Sequence, residues 1–470
     1  MFIIKKYKNI SIINSMCGIA GILDTNNNIV DLLYKSVFYI QHRGQQSSGF
    51  IFFDKETKQI YKSKKIGLID AHLEEIKNFT GNMGLSHVRY PTSGNNGRKE
   101  IQPFSILKPY GISLVHNGNI TNSAELKEFL IKNHMYVNGT SDSELILNLF
   151  YFYIEKDFSK LTNDKIIETV KKIYELCRGS FSIIIMICGF GLIVFRDKYG
   201  IRPLVYEKDK TRITFASESI ALHSHNYNDV ENGELIIVSK RLDISKYKLF
   251  NEPFKPCIFE YIYFSTAESY INNVLVYNFR ERVGEEMLKL IEPEILEKID
   301  VVVPVPLTSL ISSTTIANKL NKPLKHAIVK NRYTHRSFIN DGTNILKTIQ
   351  KIKIIPELIK NKNVLVVDDS IVRGNTCKYI IKELRKASVK NVYFASCSPE
   401  VKYPNIYGIH IPSKEELIAH SNSNEEIEKI LDIDKIYFLP VENVRKVLYD
   451  LNPEIKDVED SSFTGNYIEC

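Results

Sequence analysis

Hydrophobic and polar residues follow two different patterns along the chain, and the first pattern mixes strands with helices. From Cys17 to about residue 250, short β-rich runs such as GIAGIL, GFIFF and MGLSHVRY are separated by a few helical stretches. The clearest of these, Thr162–Leu176, has isoleucine and valine at helical spacing after a Thr or Asn cap. Sheets packed on helices are therefore expected here, as in an α+β domain.

The longest apolar run of the chain, FSIIIMICGFGLIVF, extends from Phe181 to Phe195. It is shorter than the ~20 residues that a transmembrane helix needs. Gly189 and Gly191 interrupt it, which is typical of a tight β-hairpin between two buried strands. We therefore expect a hairpin here and no membrane span.

The second pattern starts at about residue 255 and favours an α/β fold. DVVVPVP and NVLVVDD are continuous runs rich in valine, and a polar loop and a helical pattern follow each of them. Such runs are buried on both faces, as the strands of a parallel sheet are. We place the domain boundary near residues 251–257, where two prolines interrupt the periodicity.

Composition and charge exclude several classes of protein. The 470 residues are 44% apolar and 25% charged, as in ordinary globular proteins of two or three domains. The net charge of +7 is spread along the chain without a dense basic block, so we expect no nucleic-acid partner. The seven cysteines form no CxxC pair, which favours a reducing compartment over a disulfide framework or a zinc site.

The most specific chemistry of the second half follows its second buried strand. In NVLVVDDSIVRGNTCKYIIKELRKA, the strand ends in Asp368 and Asp369, and the loop SIVRGNT leads to an amphipathic helix. Ligands of open α/β sheets bind at this end of the strands. The helix N-terminus favours a phosphate, while the two carboxylates can bind sugar hydroxyls or Mg²⁺. A carboxylate pair alone also occurs in phosphatases and receiver domains.

The string DDSIVRGNT resembles the phosphoribosyl pyrophosphate (PRPP) motif of the type I phosphoribosyltransferases. The resemblance implies that Asp368 and Asp369 hold the ribose hydroxyls and that the loop holds the 5-phosphate. The loop residues so implied are Ser370, Ile371, Val372, Arg373, Gly374, Asn375 and Thr376. Most members have Thr in place of Asn375, and because Asn still donates a hydrogen bond, at most a modest loss is expected.

The same resemblance implies Mg²⁺ as the cofactor that accompanies PRPP. In this family the loop after the first strand of the sheet approaches the pyrophosphate and its metal, which assigns that role to Thr308. The metal-site residues are then Thr308, Asp368 and Asp369. Many relatives carry an acid where this chain has Leu307, so the metal has one carboxylate fewer nearby.

The basic segment KNRYTHRSF is expected to lie over the same site. Beside a pyrophosphate, such a segment acts as a mobile cationic flap that closes over the leaving group and excludes water. Its candidate PRPP-binding residues are Lys330, Arg332, Tyr333 and Arg336. Without that neighbour, the segment would equally well be a solvated basic loop.

The first half begins with an unusual placement of one cysteine, in SMCGIAGIL. A thiol attacks as the thiolate, and with a pKa near ~8.5 it needs a neighbouring base. An α-amino group, with a pKa of about 7.7–8.0, serves as that base when the cysteine is the first residue. Cys17 meets this condition if translation starts at Met16, or if residues 1–16 are removed as a propeptide or transit segment.

Four further segments, QHRGQQSSG, SHVRYPTSG, HNGNI and GTSDSE, follow CGIAGI in this order. Together the five resemble the glutaminase domain of the N-terminal-nucleophile amidotransferases, whose fold is an αββα sandwich. The resemblance implies that Cys17 is the nucleophile. It also implies that Asn117 and the N–H group of Gly118 hold the oxyanion of the tetrahedral intermediate.

The resemblance assigns glutamine recognition to three charged residues. Arg89 suits the α-carboxylate of glutamine as a bidentate cation, and Asp142 suits the α-ammonium group. Arg43 is assigned to the same site as the residue that orders the loop of the nucleophile. Three histidines stand next to motif residues but are expected to be structural, since the mechanism already has a base: His42, His87 and His116.

A glutaminase domain followed by a phosphoribosyltransferase domain resembles one family, the amidophosphoribosyltransferases. The resemblance runs from Cys17 to about residue 467 and includes CIFEYIYFSTAES, FRDKYGIRPL and YPNIYGIHIPSKEELIAH. It implies that glutamine, PRPP and water give phosphoribosylamine, glutamate and pyrophosphate, the first committed step of purine synthesis. Ammonia would pass between the two sites by a dry internal path, because protonated ammonia cannot attack.

The implied domains are a glutaminase domain at 17–250, a phosphoribosyltransferase domain with a mostly parallel sheet at 255–450, and a tail at 451–470. They follow an extension, 1–16, that is expected to be absent from the mature protein. Its first 15 residues are basic and lack a small-residue cleavage site, so no secretory signal is expected. The expected location is cytoplasmic, with an organelle transit peptide left open.

Two other functions fit parts of the sequence. A PRPP-sensing regulator without chemistry would keep the second half, but it would need a basic DNA-reading module, and none is visible. Another amidotransferase, acting on a sugar phosphate or aspartate, would share the first half but would lack DDSIVRGNT.

Some family members carry a 4Fe–4S cluster held by four cysteines. Here Cys257 is the one cysteine left of that set, because Asn405, Glu459 and Ser462 stand at the other positions, and Cys470 does not replace them. We therefore expect no iron–sulfur cluster. The resemblance further implies purine nucleotides as feedback inhibitors and a homo-oligomer, either a dimer or a tetramer.

Overall fold

The computed structural model of the chain describes residues 17–90, 98–224, 226–330, 352–409, 411 and 413–468. The strands of its first half are β1 Gly18–Asp24, β2 Ser47–Phe53, β3 Ile60–Ile66, β4 Met83–Arg89, β5 Phe104–Ile106, β6 Ile112–Ile120, β7 Gly179–Ile187, β8 Gly191–Arg196, β9 Val205–Lys208, β10 Arg212–Ala216, β11 Asn228–Asp229, β12 Glu234–Ser239 and β13 Ile244–Lys248. The helices are α1 Val30–Tyr39, α2 Leu73–Ile76, α3 Ser123–Lys132, α4 Asp142–Tyr153 and α5 Asn163–Leu176.

These strands form two antiparallel sheets. The seven-stranded sheet has the order β11-β9-β10-β1-β4-β2-β3, and the six-stranded sheet has the order β13-β12-β8-β7-β6-β5. Strand β1 is central, with β10 on one side and β4 on the other. The residue before β1, Cys17, therefore lies at the end of a central strand rather than at a sheet edge.

The two sheets pack face to face and carry helices on their outer faces. Ile19 of β1 and Ile184 of β7 belong to the core between the sheets. Helix α1 covers the outer face of the seven-stranded sheet with Leu33 and Val37. Helices α3, α4 and α5 cover the six-stranded sheet in the same way. This αββα arrangement confirms the α+β fold predicted for the first half.

Two local predictions are confirmed within this half. The apolar run forms the hairpin of β7 and β8, and both strands are buried. Helix α5 follows Thr162, whose side chain accepts a hydrogen bond from the N–H group of Lys165 at 3.4 Å. Its buried residues include Ile166, Val170 and Ile173, because they recur on one face.

The second half contains the strands β14 Tyr270–Ile271, β15 Val274–Leu275, β16 Val301–Pro304, β17 Ile328–Lys330, β18 Ile352–Ile354, β19 Asn363–Asp368, β20 Asn391–Ser396 and β21 Lys435–Phe438. Its helices are α6 Val276–Leu288, α7 Pro293–Lys298, α8 Leu310–Leu320, α9 Asn375–Lys386, α10 Asn424–Leu431, α11 Val441–Leu451 and α12 Ser461–Thr464, together with the π-helix Glu260–Phe264. Short 3₁₀ turns lie at Gln41–Arg43, Ile69–His72, Arg98–Glu100, Phe158–Lys160, Ser219–Ala221, Pro356–Leu358 and Lys414–Glu416.

The sheet of the second half is parallel, in the order β16-β19-β20-β21. Leu365 and Val367 of β19 pack into one hydrophobic core, and Val364 and Val366 pack into another on the opposite face. Burial on both faces explains the continuous apolar run, and the predicted α/β fold is confirmed. Among the described residues, no helix has the length and apolar character needed to cross a membrane.

The segment after α11 returns to the junction between the two halves. The N–H group of Ile258 donates to the carbonyl oxygen of Glu459 at 3.1 Å, and the N–H group of Glu459 donates to that of Pro256 at 2.9 Å. The rings of Phe259 and Phe463 stack with their centroids 4.8 Å apart. The segment after α11 therefore packs on the second half and contributes Ile455, Val458 and Phe463 to its core.

Candidate functional site

Cys17 lies at the start of β1, next to the end of β4. The register pairs Gly18 with Val88, which places Cys17 beside Arg89. The Cys17 thiol donates to the carbonyl oxygen of Tyr90 at 3.7 Å. Burial raises the pKa of this thiol, while the charge of Arg89 opposes that effect. The predicted nucleophile and the predicted carboxylate-binding arginine are thus neighbours.

Arg43 binds the backbone of Cys17, the residue before β1. Its Nε atom donates to the carbonyl oxygen of Cys17 at 3.1 Å. Its other nitrogens bind two buried carboxylates, at 2.6 Å from Glu218 and at 2.8 and 3.0 Å from Glu260. Burial by itself lowers the pKa of Arg43, but the charges of Glu260 and Glu218 outweigh it and raise the pKa. Arg43 is therefore bound to the backbone of Cys17, and its predicted role in ordering this loop stays a prediction.

The two carboxylates around Arg43 also hold the loop after the π-helix. Glu218 accepts hydrogen bonds from the N–H group of Thr266 at 3.0 Å and from the hydroxyl of Ser269 at 2.8 Å. Glu260 accepts one from the hydroxyl of Ser265 at 2.9 Å. Because Glu260 belongs to the second half, this buried network joins the two halves at the loop of Cys17.

Asn117 lies on β6, which packs across from β1 in the opposite sheet. Val115 belongs to the core between the sheets, so Asn117, two residues further on, points into the same space. The Asn117 side chain is buried, and its Nδ2 atom has no hydrogen-bond partner among the described residues. A buried amide donor is costly unless an acceptor reaches it, so this group suits a ligand oxygen.

The N–H group of Gly118 lies at an open edge of β6, because β5 pairs with only the first part of that strand. On this edge the N–H group of His116 donates to Gln102 Oε1 at 2.7 Å, and that of Ile120 donates to Asp142 Oδ2 at 3.0 Å. Alternate N–H groups of a strand point to the same edge, so that of Gly118 lies between these two. Asn117 and Gly118 thus present donors near each other.

Asp142 starts helix α4 and is buried, with its Oδ1 atom accepting from the N–H group of Ser143 at 2.8 Å. His116 Nδ1 lies 3.8 Å from this carboxylate. Burial lowers the pKa of His116, against the opposing charge of Asp142, which favours the neutral imidazole. Burial raises the pKa of the Cys17 thiol, and the charge of Asp142 adds to that effect.

The two other histidines near the motifs, His87 and His42, were also predicted to be structural. His87 is fully buried, and both of its ring nitrogens have no hydrogen-bond partner among the described residues. Burial, with Arg89 and His116 next in effect, lowers its pKa well below the usual value. His42 Nε2 lies 2.8 Å from Glu218 Oε1. Their assignment as structural residues stays a prediction.

In the second half, the acidic pair lies at the carboxyl end of β19, as the sequence predicts. Asp368 Oδ1 accepts from the N–H group of Asp369 at 2.8 Å, and Asp369 Oδ1 accepts from the hydroxyl of Ser370 at 2.7 Å. Burial raises the pKa of Asp368 well above its usual value, and the charge of Asp369 adds to the shift. Such a pair is stabilised by a cation or by hydroxyl donors.

The loop from Ser370 to Gly374 turns directly into helix α9. Gly374 has a φ of +74°, in the left-handed region that favours glycine, and a Cβ there would press on the end of the Ile418 side chain at 2.8 Å. Arg373 forms an ion pair with Glu416 at 2.7 Å. The loop thus leads straight to the helix N-terminus at Asn375 and Thr376, a kind of position that favours an anion.

Thr308 and Asp369 line the same small cavity. Its other lining residues are Ile262, Phe279, Arg280, Val283, Ser309, Ser312 and Cys397. Arg280 of α6 is buried there and donates to the carbonyl oxygens of Tyr261 at 3.1 Å and Ser265 at 2.7 Å. Burial lowers the pKa of Arg280 to about 10, with the charge of Asp369 opposing it. Two of the three predicted metal-site residues, Thr308 and Asp369, thus line one cavity together with the cationic Arg280.

The predicted basic flap lies only partly within the described residues. Lys330 is the exposed last residue of β17, whereas Arg332, Tyr333 and Arg336 lie outside the described residues. The exposed Leu307 directly precedes Thr308.

The structure brings together three of the residues discussed for an iron–sulfur site and places the fourth beside them. Cys257 pairs with Glu459 in an isolated β-bridge. Asn405 Nδ2 lies 3.4 Å from both Glu459 Oε2 and Ser462 Oγ. Hydrogen bonds thus link the polar residues at three of the four positions. Cys470 lies outside the described residues.

Three residues of this region were not identified from the sequence: Glu218, Glu260 and Arg280. Each is charged and buried, which is rare without a partner, but the sequence contains no sign of the partner. The glutamate in CIFEYIYF, between aromatic residues, was the one available signal, since a charge in an apolar run requires a buried counter-charge.

Comparisons with known proteins agree with this geometry. A model of the glutamine amidotransferase domain matches residues 89–224, and a model of the phosphoribosyl transferase domain matches residues 278–398. The amidophosphoribosyltransferase of Pasteurella multocida is 41% identical over 471 residues, which cover 96% of this chain and 93% of the relative. The chain belongs to the amidophosphoribosyltransferase family.

Other amidophosphoribosyltransferases match over the same span. Those of Escherichia coli and Saccharomyces cerevisiae are 38% and 35% identical, each over 96% of this chain and 92% of the relative. The solved glutamine PRPP amidotransferase of B. subtilis, complexed with ADP and GMP, is 29% identical with a TM-score of 0.82 and covers 97% of this chain and 98% of its own. Both halves match one family, which confirms the predicted fold class and disfavours a regulator or another amidotransferase.

The buried Arg43 network generates a prediction about stability. Replacing Glu260 by Gln leaves the Arg43 guanidinium with one carboxylate fewer in a dry environment, and such a loss costs about 3–5 kcal/mol. The control is Glu442→Gln, which breaks the exposed pair with Arg445 (3.2 Å) and costs about 1 kcal/mol or less. Denaturant midpoints can be followed by tyrosine fluorescence, because the chain has 26 Tyr and no Trp. Equal midpoints for both variants would contradict the role of Glu260.

The environment of Cys17 generates a prediction about pH. In the chain that carries residues 1–16, burial raises the pKa of Cys17, so its thiolate fraction should increase at a higher pH than that of a free thiol. The rate of alkylation by iodoacetamide, measured by peptide mass spectrometry, should rise with pH with its midpoint above that of glutathione. Arg89→Gln should move the midpoint higher still. A midpoint below that of glutathione would contradict the prediction.

Proposed function

We propose that the chain catalyses the glutamine-dependent amination of PRPP, giving 5-phosphoribosylamine, glutamate and pyrophosphate, as the first committed step of purine synthesis. One observation carries the proposal. A buried network joins the loop of the Cys17 nucleophile to the half that holds the PRPP motif, through Arg43 and Glu260. The division into domains at 17–250, 255–450 and 451–470, after an extension at 1–16, belongs to the same proposal.

In the glutaminase half, Cys17 is proposed to attack the amide carbon of glutamine. The thiol proton passes to its own α-amino group once residues 1–16 are absent. Asn117 Nδ2 and the N–H group of Gly118 then stabilise the oxyanion, and each such donor is worth about 10²–10³ in rate. Arg89 and Asp142 hold the α-carboxylate and α-ammonium groups. Their electrostatic effect on the thiol supports these roles.

In the second half, Asp368 and Asp369 are proposed to hold the ribose hydroxyls of PRPP, while residues 370–376 hold the 5-phosphate. The donor set fits Mg²⁺, since the metal prefers oxygen ligands and is often held by one or two carboxylates plus substrate phosphates. Thr308, Asp368 and Asp369 would hold it, and the metal would neutralise charge on the pyrophosphate. Lys330, with Arg332, Tyr333 and Arg336, completes the proposed PRPP-binding set.

Ammonia is proposed to travel from Cys17 to PRPP inside the molecule. The π-helix supports this route, because Glu260 at its start binds Arg43, and Ile262 lines the cavity beside Asp369. Ile262 and Phe279 make much of that lining apolar. An apolar route keeps ammonia unprotonated, and the neutral form is the one that attacks C1 and displaces pyrophosphate.

Purine nucleotides are proposed as feedback inhibitors. The B. subtilis relative was solved as a complex with ADP and GMP, which supports this class of ligand. The predicted homo-oligomer stays a prediction, and so does the absence of an iron–sulfur cluster.

The decisive experiment compares two forms of the chain, one starting at Cys17 and one retaining residues 1–16. With PRPP, Mg²⁺ and glutamine, only the form starting at Cys17 should release pyrophosphate and glutamate, because only its thiol has a free α-amine. With ammonia in place of glutamine, both forms should release pyrophosphate. Intact mass establishes the first residue of each preparation.

The control for this comparison is Cys17→Ala in the shorter form, which should lose glutamine-dependent turnover and retain the ammonia-dependent reaction. Glutamine turnover by the alanine variant, or by a chain that still starts at Met1, would overturn the proposed nucleophile. Failure of every form with ammonia would overturn PRPP amination itself.

A second prediction concerns the acidic pair. Asp369→Asn removes a charge-assisted contact of about 1.5–3 kcal/mol, so the apparent affinity for PRPP should fall about 10–100-fold with either nitrogen donor. Glutamine hydrolysis measured without PRPP should not change. The control is Glu383→Gln on the exposed side of α9, where the pair with Lys386 is solvent-exposed. Unchanged PRPP affinity in the Asp369 variant would contradict the assignment.

A further inference from the structure

A turn of the second half, residues 405–409, lies directly against the strand that carries Asn117 and Gly118. A Cβ atom on Gly408 would lie 3.0 Å from the carbonyl carbon of Gly118, 3.1 Å from its oxygen and 3.2 Å from its Cα. The two backbones are therefore in van der Waals contact, with no space for a side chain between them. We name residues 405–409 the buttress turn.

Two side chains of the first half bind the buttress turn. Asn119 Nδ2 donates to the carbonyl oxygen of Ile406 at 2.9 Å. Ser180 Oγ donates to the carbonyl oxygen of Tyr407 at 2.8 Å, and this serine is fully buried. Asn119 and Ser180 are paired across β6 and β7, one register position beyond Gly118 and Phe181. The turn is thus fixed to both β6 and β7 beside Gly118.

The buttress turn is also fixed from within the second half. Asn405 Oδ1 accepts hydrogen bonds from the N–H groups of Tyr407 at 2.8 Å and Ile409 at 3.1 Å. Asn405 Nδ2 faces Glu459 and Ser462, each at 3.4 Å. The conformation of the turn is therefore stabilised by hydrogen bonds within the second half, independently of the first half.

The position of Gly118 needs such external support. Gly118 has no side chain to anchor it, and its φ of +147° lies outside the range that other residues prefer. An oxyanion donor acts only when its N–H group lies about 2.7–3.1 Å from the developing charge, so a small shift costs much of its effect. Contact with Gly408 restricts movement of the Gly118 carbonyl, which belongs to the adjoining peptide.

We infer that the buttress turn is a positioning element for the oxyanion site of the glutaminase half, with Gly408 acting through Gly118. The inference rests on the proposed function, since it needs Asn117 and Gly118 to bind the oxyanion. It goes beyond that function by making a segment of the phosphoribosyltransferase half part of the support of glutamine hydrolysis. The turn touches neither glutamine nor the thiol, so its residues are positioning residues.

The first test compares Gly408→Ala with Gly67→Ala, both in the chain starting at Cys17. The two glycines have nearly the same φ, +103° and +101°, but nothing lies within 4 Å of a Cβ on Gly67. Backbone strain is thus matched, and only the Gly408 variant presses on Gly118. We expect kcat for glutamine hydrolysis to fall about 10–100-fold in the Gly408 variant, less than the roughly 10²–10³-fold cost of removing one oxyanion donor, because the donor is displaced and not removed. The Gly67 variant should match the parent.

Two further readouts separate positioning from general damage. The KM for glutamine and the ammonia-dependent amination of PRPP should not change, because Arg89, Asp142 and the PRPP site are untouched. The Cys17 thiol adds to the carbonyl group of an aldehyde analogue of glutamine: the S–C bond forms, the C=O π bond breaks, and the thiol proton passes through the α-amino group to the new oxygen, which lies at the oxyanion site. In the Gly408 variant, the ratio of the affinity for the aldehyde to the affinity for glutamate should fall in parallel with kcat.

A milder pair of variants decides the matter if Gly408→Ala does not fold. Ser180→Ala removes the hydrogen bond to the buttress turn, whereas Ser182→Ala removes an equally buried serine of β7 that donates to the carbonyl oxygen of Arg202 at 3.0 Å. We expect Ser180→Ala to lower the kcat of glutamine hydrolysis and the aldehyde-to-glutamate affinity ratio about 3–10-fold, the effect of one hydrogen bond. Ser182→Ala should leave the ratio unchanged.

The outcomes separate this inference from the proposed function. If the parent chain hydrolyses glutamine but the two members of each pair behave alike, the buttress turn has no positioning role and the inference is overturned. If the parent chain itself does not hydrolyse glutamine, the proposed function is what fails.

Discussion

The rest of the structure depends on one interaction, the burial of the Arg43 guanidinium between Glu218 and Glu260. A buried charge is tolerated only when it is paired and its donors are used, and Arg43 meets both conditions while also binding the carbonyl oxygen of Cys17. The backbone at Cys17, Glu218 of the first half and the start of the second half are therefore held by the same cation.

The features predicted from the sequence are those that local periodicity or a local motif determines. The hairpin of β7 and β8, helix α5 and the strand β19 each have their pattern within a dozen or so residues, and burial follows from that pattern. The acidic pair at the end of β19 was predicted for the same reason, since a buried strand, a loop and a helix occur in succession. Family resemblance then added roles that no periodicity shows.

The features that escaped prediction are contacts between positions far apart in the chain. Arg43 and Glu260 are 217 residues apart, and Asn119 and Ile406 are 287 residues apart. No local pattern indicates that either pair will meet, because each contact results from the way the halves pack. Arg280 escaped for a related reason, since a helical arginine is usually solvent-exposed and its burial beside Asp369 depends on the fold of the second half.

The position of Glu260 limits how the two catalytic units can be separated. Each half has its own hydrophobic core and, judged by that core alone, resembles an independent domain. If the gene were split between residues 250 and 260, the first fragment would keep the Arg43 guanidinium without one of its two carboxylates. The second fragment would keep the Glu260 carboxylate without its cation. A recombination event that separates the two halves therefore has to keep Arg43 and Glu260 together or replace both residues.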